Sequence, residues 1–263
     1  MDEARGASGL HVDVAGDGPP LVLLHGFAMH GALFAPIVPA FARSHRVHVA
    51  DLPGHGHSAP IASFDLPALV DAVDAAIAPG EPVRVVAWSL GGLVALEWAR
   101  RMPWRVARLV LVTTTPSFVA RDGWPCAMSD ETLARFAFEL CASYRTTLQR
   151  FLALQVHGSD EGRATLATLR ERLFARGEPS PRVLDDALAL LRATDLRAVL
   201  PDIGTPALVV GGERDAIVPV EATRRLAAAM PRATHVTIAG GAHAPFLSHS
   251  RDFAAAALPF LDG

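Results

Sequence analysis

The sequence predicts an α/β fold, a mostly parallel sheet with helices on both faces and an inserted all-helical segment. Three observations predict it. Short runs rich in Val and Leu, too short for helices, recur along the chain and each stops at a Gly, Asp, Ser, Thr or His. Amphipathic stretches separate these runs, and strand–helix alternation of this kind implies parallel strands. Between about residues 117 and 192 the apolar spacing is helical throughout, with no strand-like run.

Residues 21–24 form the first buried run, which stops at His25-Gly26. Residues 47–50 stop at Asp51-Leu52-Pro53-Gly54, 83–88 at Ser89, and 109–112 at the Thr113-Thr114-Thr115 triplet. Residues 207–210 stop at Gly211-Gly212 and 235–239 at Gly240-Gly241. These read as strands buried on both faces, with helices over about 66–78, 91–102, 219–230 and 246–261. In the middle of the chain Phe136, Leu140, Leu148, Phe151, Leu152, Leu166, Leu169 and Leu173 recur at three- and four-residue spacings. The expected division is an α/β core over residues 1–116 and 193–263, with a helical cap over 117–192.

A chain of 263 residues with 51% hydrophobic and 19% charged residues has ample material for a core, which excludes global disorder. A net charge of -3 argues against a broad basic surface for nucleic acid. All 24 basic residues are Arg, so Schiff-base catalysis, a pyridoxal phosphate linkage and a P-loop lysine are excluded. Cys126 and Cys141 form no CxxC pair, and neither a disulfide framework nor a structural zinc site is expected. No apolar run approaches a membrane span, and no apolar segment follows Met1-Asp2-Glu3-Ala4-Arg5. A cytoplasmic protein with no signal peptide is the expectation.

The strongest local signal is Val85-Val86-Ala87-Trp88-Ser89-Leu90-Gly91-Gly92, an apolar strand that runs through a serine directly into a helix. Small residues two positions either side of Ser89 are what a sharp strand-to-helix turn needs, and such a turn lifts the hydroxyl clear of the sheet. Ala87 stands where the usual pattern has Gly. The bland alternative is a serine that only caps a helix.

A serine hydroxyl becomes a nucleophile when a base takes its proton. His243, in Gly240-Gly241-Ala242-His243-Ala244-Pro245, follows the last expected strand, at the sheet edge where open α/β sheets place their chemistry. His249 reads as a surface or capping residue. His55 and His57 flank Gly56, and a metal there would need further ligands that the neighbouring sequence lacks. Asp215, after strand 207–210 and before Pro219, is the candidate to orient the imidazole, with Glu213 as its local rival. The order Ser89, Asp215, His243 is that of nucleophile, acid and histidine in an α/β-hydrolase. Two backbone donors for the oxyanion follow, Leu90 N–H after the nucleophile and Phe27 N–H in His25-Gly26-Phe27-Ala28. The alternative for His25-Gly26 is a simple strand terminator. No metal and no organic cofactor is expected.

These residues resemble the α/β-hydrolase superfamily over nearly the whole chain. Within it, five stretches resemble the esterases that remove the methyl ester from pimeloyl-carrier protein in biotin synthesis. They are Trp88-Ser89-Leu90-Gly91-Gly92-Leu93-Val94-Ala95, Ala120-Arg121-Asp122-Gly123-Trp124-Pro125, Arg150-Phe151-Leu152-Ala153-Leu154-Gln155, Thr194-Asp195-Leu196-Arg197 and Ala242-His243-Ala244-Pro245-Phe246-Leu247-Ser248-His249. The resemblance implies release of methanol and of the free distal carboxylate, with the acyl chain lying between core and cap. It implies a pocket lined by Phe27, Trp88, Phe136, Phe151 and Ile217, each equally readable as ordinary core packing. It also implies an acyl-carrier protein as partner, met by basic cap residues. Arg150 and Arg163 match two of those positions. Thr146 and Ala167 replace two others, for which the nearby Arg145 and Arg170 can substitute. A solvated Arg-rich face is the alternative. The implied protein is a monomer with no nucleic acid or membrane partner.

Three other readings fit the same residues. Two are enzymes of this fold, a general short-chain carboxylesterase and a hydrolase of carbon–carbon bonds. The third is a non-catalytic ligand receptor that kept the fold, against which a full Ser-Asp-His set argues.

Overall fold

The computed structural model describes residues 2–5, 9–78, 80–173 and 175–263; Met1, where the expected core division and the leader reading begin, lies outside the described residues. The chain builds an eight-stranded sheet in the order β1-β2-β4-β3-β5-β6-β7-β8. Its strands are β1 (Asp2–Arg5), β2 (His11–Ala15), β3 (Pro20–Leu24), β4 (Arg46–Ala50), β5 (Val83–Trp88), β6 (Val106–Val112), β7 (Ala207–Gly212) and β8 (Ala233–Ile238). From β4 across to β8 all pairings are parallel, whereas β2 joins β4, and β1 joins β2, antiparallel. The six expected strands are all present. The two antiparallel strands carry no long apolar run and add to the sheet at its N-terminal edge.

β3, β5 and β7 sit inside the sheet and bury nearly every residue, which is why they read as continuous apolar runs. β8 differs from the expectation of burial on both faces. It is the edge strand, and most of Ala233–Ile238 is half-exposed.

Ten α-helices are assigned among the described residues, α1 (Val38–Phe41), α2 (Leu66–Ala76), α3 (Leu90–Arg101), α4 (Asp130–Ala142), α5 (Tyr144–Gln155), α6 (Gly162–Arg172), α7 (Pro181–Ala193), α8 (Val220–Ala229), α9 (Pro245–Ser248) and α10 (Ser250–Asp262). The stretch expected as one helix over 246–261 is thus two, α9 and α10, meeting at His249 with its non-helical backbone. α4 to α7 all lie between β6 and β7. Each turns one apolar stripe inward, for example Val183, Leu184, Ala187, Leu188 and Leu191 on α7. Ser129 and Ser180 cap α4 and α7 by accepting from Thr132 N–H and Val183 N–H.

The chain leaves and re-enters the sheet at one stitched seam. Leu196 N–H donates to the Pro116 carbonyl (2.9 Å), Arg121 Nη2 to the Arg192 carbonyl (2.8 Å) and Arg197 Nη1 to the Asp122 carbonyl (2.5 Å). No helix among the described residues is long and apolar enough to cross a membrane.

The strand order places a topological switch between β3 and β5. The chain moves to one side of β3 for β4 and returns to its other side for β5. A crevice opens at the C-terminal ends of strands at such a point. Leu24 pairs with Ala87 across it, so the loops after β3 and β5 begin side by side.

Candidate active site

Ser89 stands between β5 and α3 with φ 55 and ψ -117, a strained backbone for a residue with a Cβ. The elbow is pinned by its backbone. Ser89 N–H donates to the Val112 carbonyl (3.0 Å), and the Ser89 carbonyl accepts from Gly92 N–H (2.8 Å) and the Thr114 hydroxyl (2.7 Å). The backbone packs closely around the serine, most tightly at Gly91. A Cβ on Gly91 would lie 2.7 Å from the Leu24 and His25 carbonyl oxygens, and one on Gly26 would lie 3.1 Å from Ser89 Cβ. Ala87, where the usual pattern has Gly, is fully buried. The Ser89 side chain makes no capping hydrogen bond to α3, so helix capping is not what its hydroxyl does.

Asp215 and His243, 28 residues apart in sequence, meet through Nδ1 and Oδ2 at 2.8 Å with both side chains buried. The other carboxylate oxygen of Asp215 accepts from Ile217 N–H (2.8 Å) and Val218 N–H (3.0 Å), so the acid is fixed from both sides. With Nδ1–H donated to the acid, Nε2 is the nitrogen that carries the free lone pair. Three bonds fix the His243 backbone. Its N–H donates to the Gln155 carbonyl at the end of α5 (2.9 Å), and its carbonyl accepts from Trp88 Nε1–H (2.8 Å) and the Thr113 hydroxyl (2.7 Å). Among the described residues the Ser89 hydroxyl and the His243 ring are not hydrogen-bonded to each other, a leg that free enzymes often leave open.

The rivals are engaged elsewhere. Glu213 accepts from Gly240 N–H (2.8 Å) and ties the two loops together, and His249 Nδ1 bonds Ser248 Oγ (2.8 Å). Among the described residues neither Phe27 N–H nor Leu90 N–H has a hydrogen-bond acceptor; Phe27 lines the same cavity as Ser89, and Leu90 follows it at the start of α3. A pair of backbone N–H groups without acceptors is the kind of feature from which an oxyanion site is built.

His25 does more than end a strand, which sequence reasoning missed. Its Nδ1–H donates to the Gly26 carbonyl (2.8 Å) and its Nε2 accepts from Leu52 N–H (2.8 Å), bracing the loop that carries Phe27 against the loop after β4. Complete burial, followed by the neighbouring His55, pulls its pKa from 6.5 to about 3, so it works as a neutral strut. An Asp51-Leu52-Pro53 turn following a His-Gly strand end was the available signal.

A cavity of about 310 Å³ opens above Ser89, walled by Phe27, Phe118, Phe136, Phe151, Leu188 and Ile217 among others. The Phe27 ring packs edge-on against Phe136 (6.1 Å) and Phe151 (6.0 Å), joining core to inserted helices. Trp88, expected in the lining, is not part of it. Its buried indole packs on Phe246 (5.0 Å) and holds the His243 carbonyl instead.

The expected docking arginines divide in two. Arg145 pairs with Glu178 and Arg150 with Glu139. Arg163 and Arg170 are exposed on α6, and their separation of two helical turns puts them on one face.

His57 also has company that its sequence neighbourhood did not suggest. His11 from β2 and Asp51 bring possible metal-ligand atoms within 4.8 Å of it. Arg176, from the α6–α7 connection, already occupies that corner. It pairs with Asp51 Oδ2 (3.0 Å) and with the buried Asp13. Asp51 further accepts from Gly31 N–H (2.7 Å) and His57 N–H (2.9 Å). Burial by itself would raise the Asp51 carboxyl, but His25, these amides and Arg176 together hold it below the usual range.

A sequence model of the alpha/beta hydrolase fold matches residues 19–250. A protein from Xanthomonas oryzae pv. oryzae named pimeloyl-[acyl-carrier protein] methyl ester esterase is 47% identical over 242 residues, 92% of this chain and 94% of its own length. A protein of the same name from Stenotrophomonas maltophilia is 45% identical over 253 residues, 96% of each chain. Among solved structures, a bromoperoxidase from Bacillus anthracis superposes with a TM-score of 0.91 over the full length of both chains at 22% identity, a likeness of fold.

Proposed function

The chain belongs to the α/β-hydrolase fold family, among its carboxylic ester hydrolases, and from that premise we propose that it hydrolyses the methyl ester of pimeloyl-[acyl-carrier protein]. The products are pimeloyl-[acyl-carrier protein] and methanol. The observation that carries the chemistry is the buried Asp215–His243 pair together with a strained serine elbow whose Ser89 lines an apolar cavity. The choice of ester rests on the two relatives that share nearly half of their residues with this chain.

In this reading Ser89 Oγ attacks the ester carbonyl while His243 Nε2 takes its proton, and Asp215 holds the imidazolium that forms. Phe27 N–H and Leu90 N–H receive the oxyanion, each worth on the order of 3 kcal/mol of barrier. His243 returns the proton to the departing methoxide, which leaves as methanol. Water then attacks the acyl-enzyme by the same route and releases the carboxylate and Ser89. The chain's own residues and water balance every step.

Residues 117–192 act as a cap, and the acyl chain lies between Phe27 and Ile217 of the core and Phe136 and Phe151 of the cap. The carrier protein docks on the cap, where Arg163 and Arg170 face outward unpaired among the described residues. Arg145 and Arg150 join them by exchanging exposed intramolecular partners for acidic groups of the carrier, an exchange of low cost for surface pairs.

The test is methanol release from the pimeloyl-carrier methyl ester, beside a p-nitrophenyl short-chain ester and a vinylogous diketone. Turnover of the carrier ester that disappears in Ser89→Ala, with the fold intact by circular dichroism, is the expected result. Turnover of the p-nitrophenyl ester or the diketone without the carrier ester would replace this reading with that of a general carboxylesterase or a carbon–carbon bond hydrolase. Retained turnover in Ser89→Ala would end the serine mechanism.

A further inference from the structure

The cavity above Ser89 is apolar along its walls but carries three charged side chains, Arg135, Glu139 and Arg150. Glu139 and Arg150 neutralise each other in an ion pair. Arg135, on α4 next to Phe136, is exposed and has no hydrogen-bond or ion-pair partner among the described residues. One cavity therefore joins a serine that is only 6% exposed to a surplus positive charge at the surface.

Apolar walls focus the field of such a charge toward whatever occupies the cavity. A guanidinium there also offers a fork of donors shaped for carboxylate or phosphate oxygens. A neutral ester filling the cavity would leave that fork to water. An ester with an anion at the far end of its acyl chain would satisfy it.

We propose that Arg135 is a specificity-determining residue that receives an anionic group carried by the substrate at the end remote from the scissile ester. The inference rests on the esterase reading above, and it adds a requirement on substrate charge that the Ser-Asp-His chemistry does not contain. Two sources share this chemistry, the free carboxylate of a dicarboxylic half ester and the phosphodiester of a phosphopantetheine arm.

The experiment compares kcat/KM within two matched pairs. Monomethyl pimelate is set against dimethyl pimelate, and the methyl pimeloyl thioester of 4′-phosphopantetheine against that of pantetheine. In the unmodified protein the anionic member of one pair is favoured by about tenfold, the scale of one charge-assisted hydrogen bond. The pair that shows it identifies the source. In Arg135→Gln that preference collapses toward one, mainly through KM, while Arg135→Lys keeps part of it and added salt weakens it. Thermal melts of both variants confirm the fold. No preference in either pair, or a preference that survives Arg135→Gln, overturns the proposal. Failure of every ester to turn over would instead strike the esterase reading, so the two failures are told apart.

Discussion

At the rim of the sheet Asp215 and His243 meet with side chains 0% and 1% exposed, whereas on the helices above it the Arg145–Glu178 pair has side chains 72% and 31% exposed. Arg150 and Glu139 are similarly open, at 63% and 38%. Both regions use charge, but only the first withdraws it from water. A buried, multiply bonded carboxylate fixes the position of an imidazole, because releasing either partner would strand a polar group without water. An exposed ion pair fixes little and can be traded for another partner. The contrast assigns precision to the sheet and exchange to the helices. Arg176 is the exception, an arginine of the inserted segment, 12% exposed, that reaches into the core to Asp13 and Asp51.

Four measurements break or sharpen this contrast. Asp215→Asn has the largest expected effect, a drop in kcat of about ten-thousandfold through loss of the correct imidazole tautomer; a loss below tenfold would show that the buried pair does not position the base. Arg176→Met comes next. It leaves two buried carboxylates without their cation and should cost about 3 to 5 kcal/mol in urea unfolding, while a loss under 1 kcal/mol would class it with the surface pairs.

The third is a pH dependence. Burial lowers His25 and His55 from 6.5 to about 3 and about 4, so both are neutral in the fold and protonate more readily once unfolded. Their contribution is complete above pH 6.5 and declines as pH falls toward 4. Each should remove about 1.4 kcal/mol per pH unit across that window. Urea titrations at pH 7, 6 and 5 check this, and a flat profile would contradict the neutral-strut role of His25. Arg145→Ala is the smallest, below about 1 kcal/mol in stability. Its expected consequence is weaker carrier affinity with unchanged unfolding, read by titrating the carrier.

Much of this arrangement is legible in the sequence, and the limits have a physical pattern. The parallel strands announce themselves because burial on both faces demands uninterrupted apolar residues, as in Val83–Trp88. Ser89, Asp215 and His243 stand out in the sequence because each follows a strand at the same edge of the sheet. β2 was missed because His11-Val12-Asp13-Val14-Ala15 alternates, as a strand near a sheet edge does, and five residues give that period little weight. Partnerships across the fold were also hidden. Arg176 meets Asp13 at a separation of 163 residues, and Trp88 meets the His243 carbonyl at 155, with no local pattern to mark either. The same limit explains His57, whose possible co-ligand His11 arrives from a different strand.

The single hydrogen bond in which His243 N–H reaches the Gln155 carbonyl makes the last turn of α5 part of the scaffold of the loop that carries His243. The inserted helices and the His243 loop are therefore not independent modules here. A chimera that grafts another hydrolase's helices onto this sheet has to present an acceptor at that same point, or the His243 backbone loses one of its three anchors. Exchanging these helices in this scaffold is accordingly a matter of one carbonyl as much as of cavity shape.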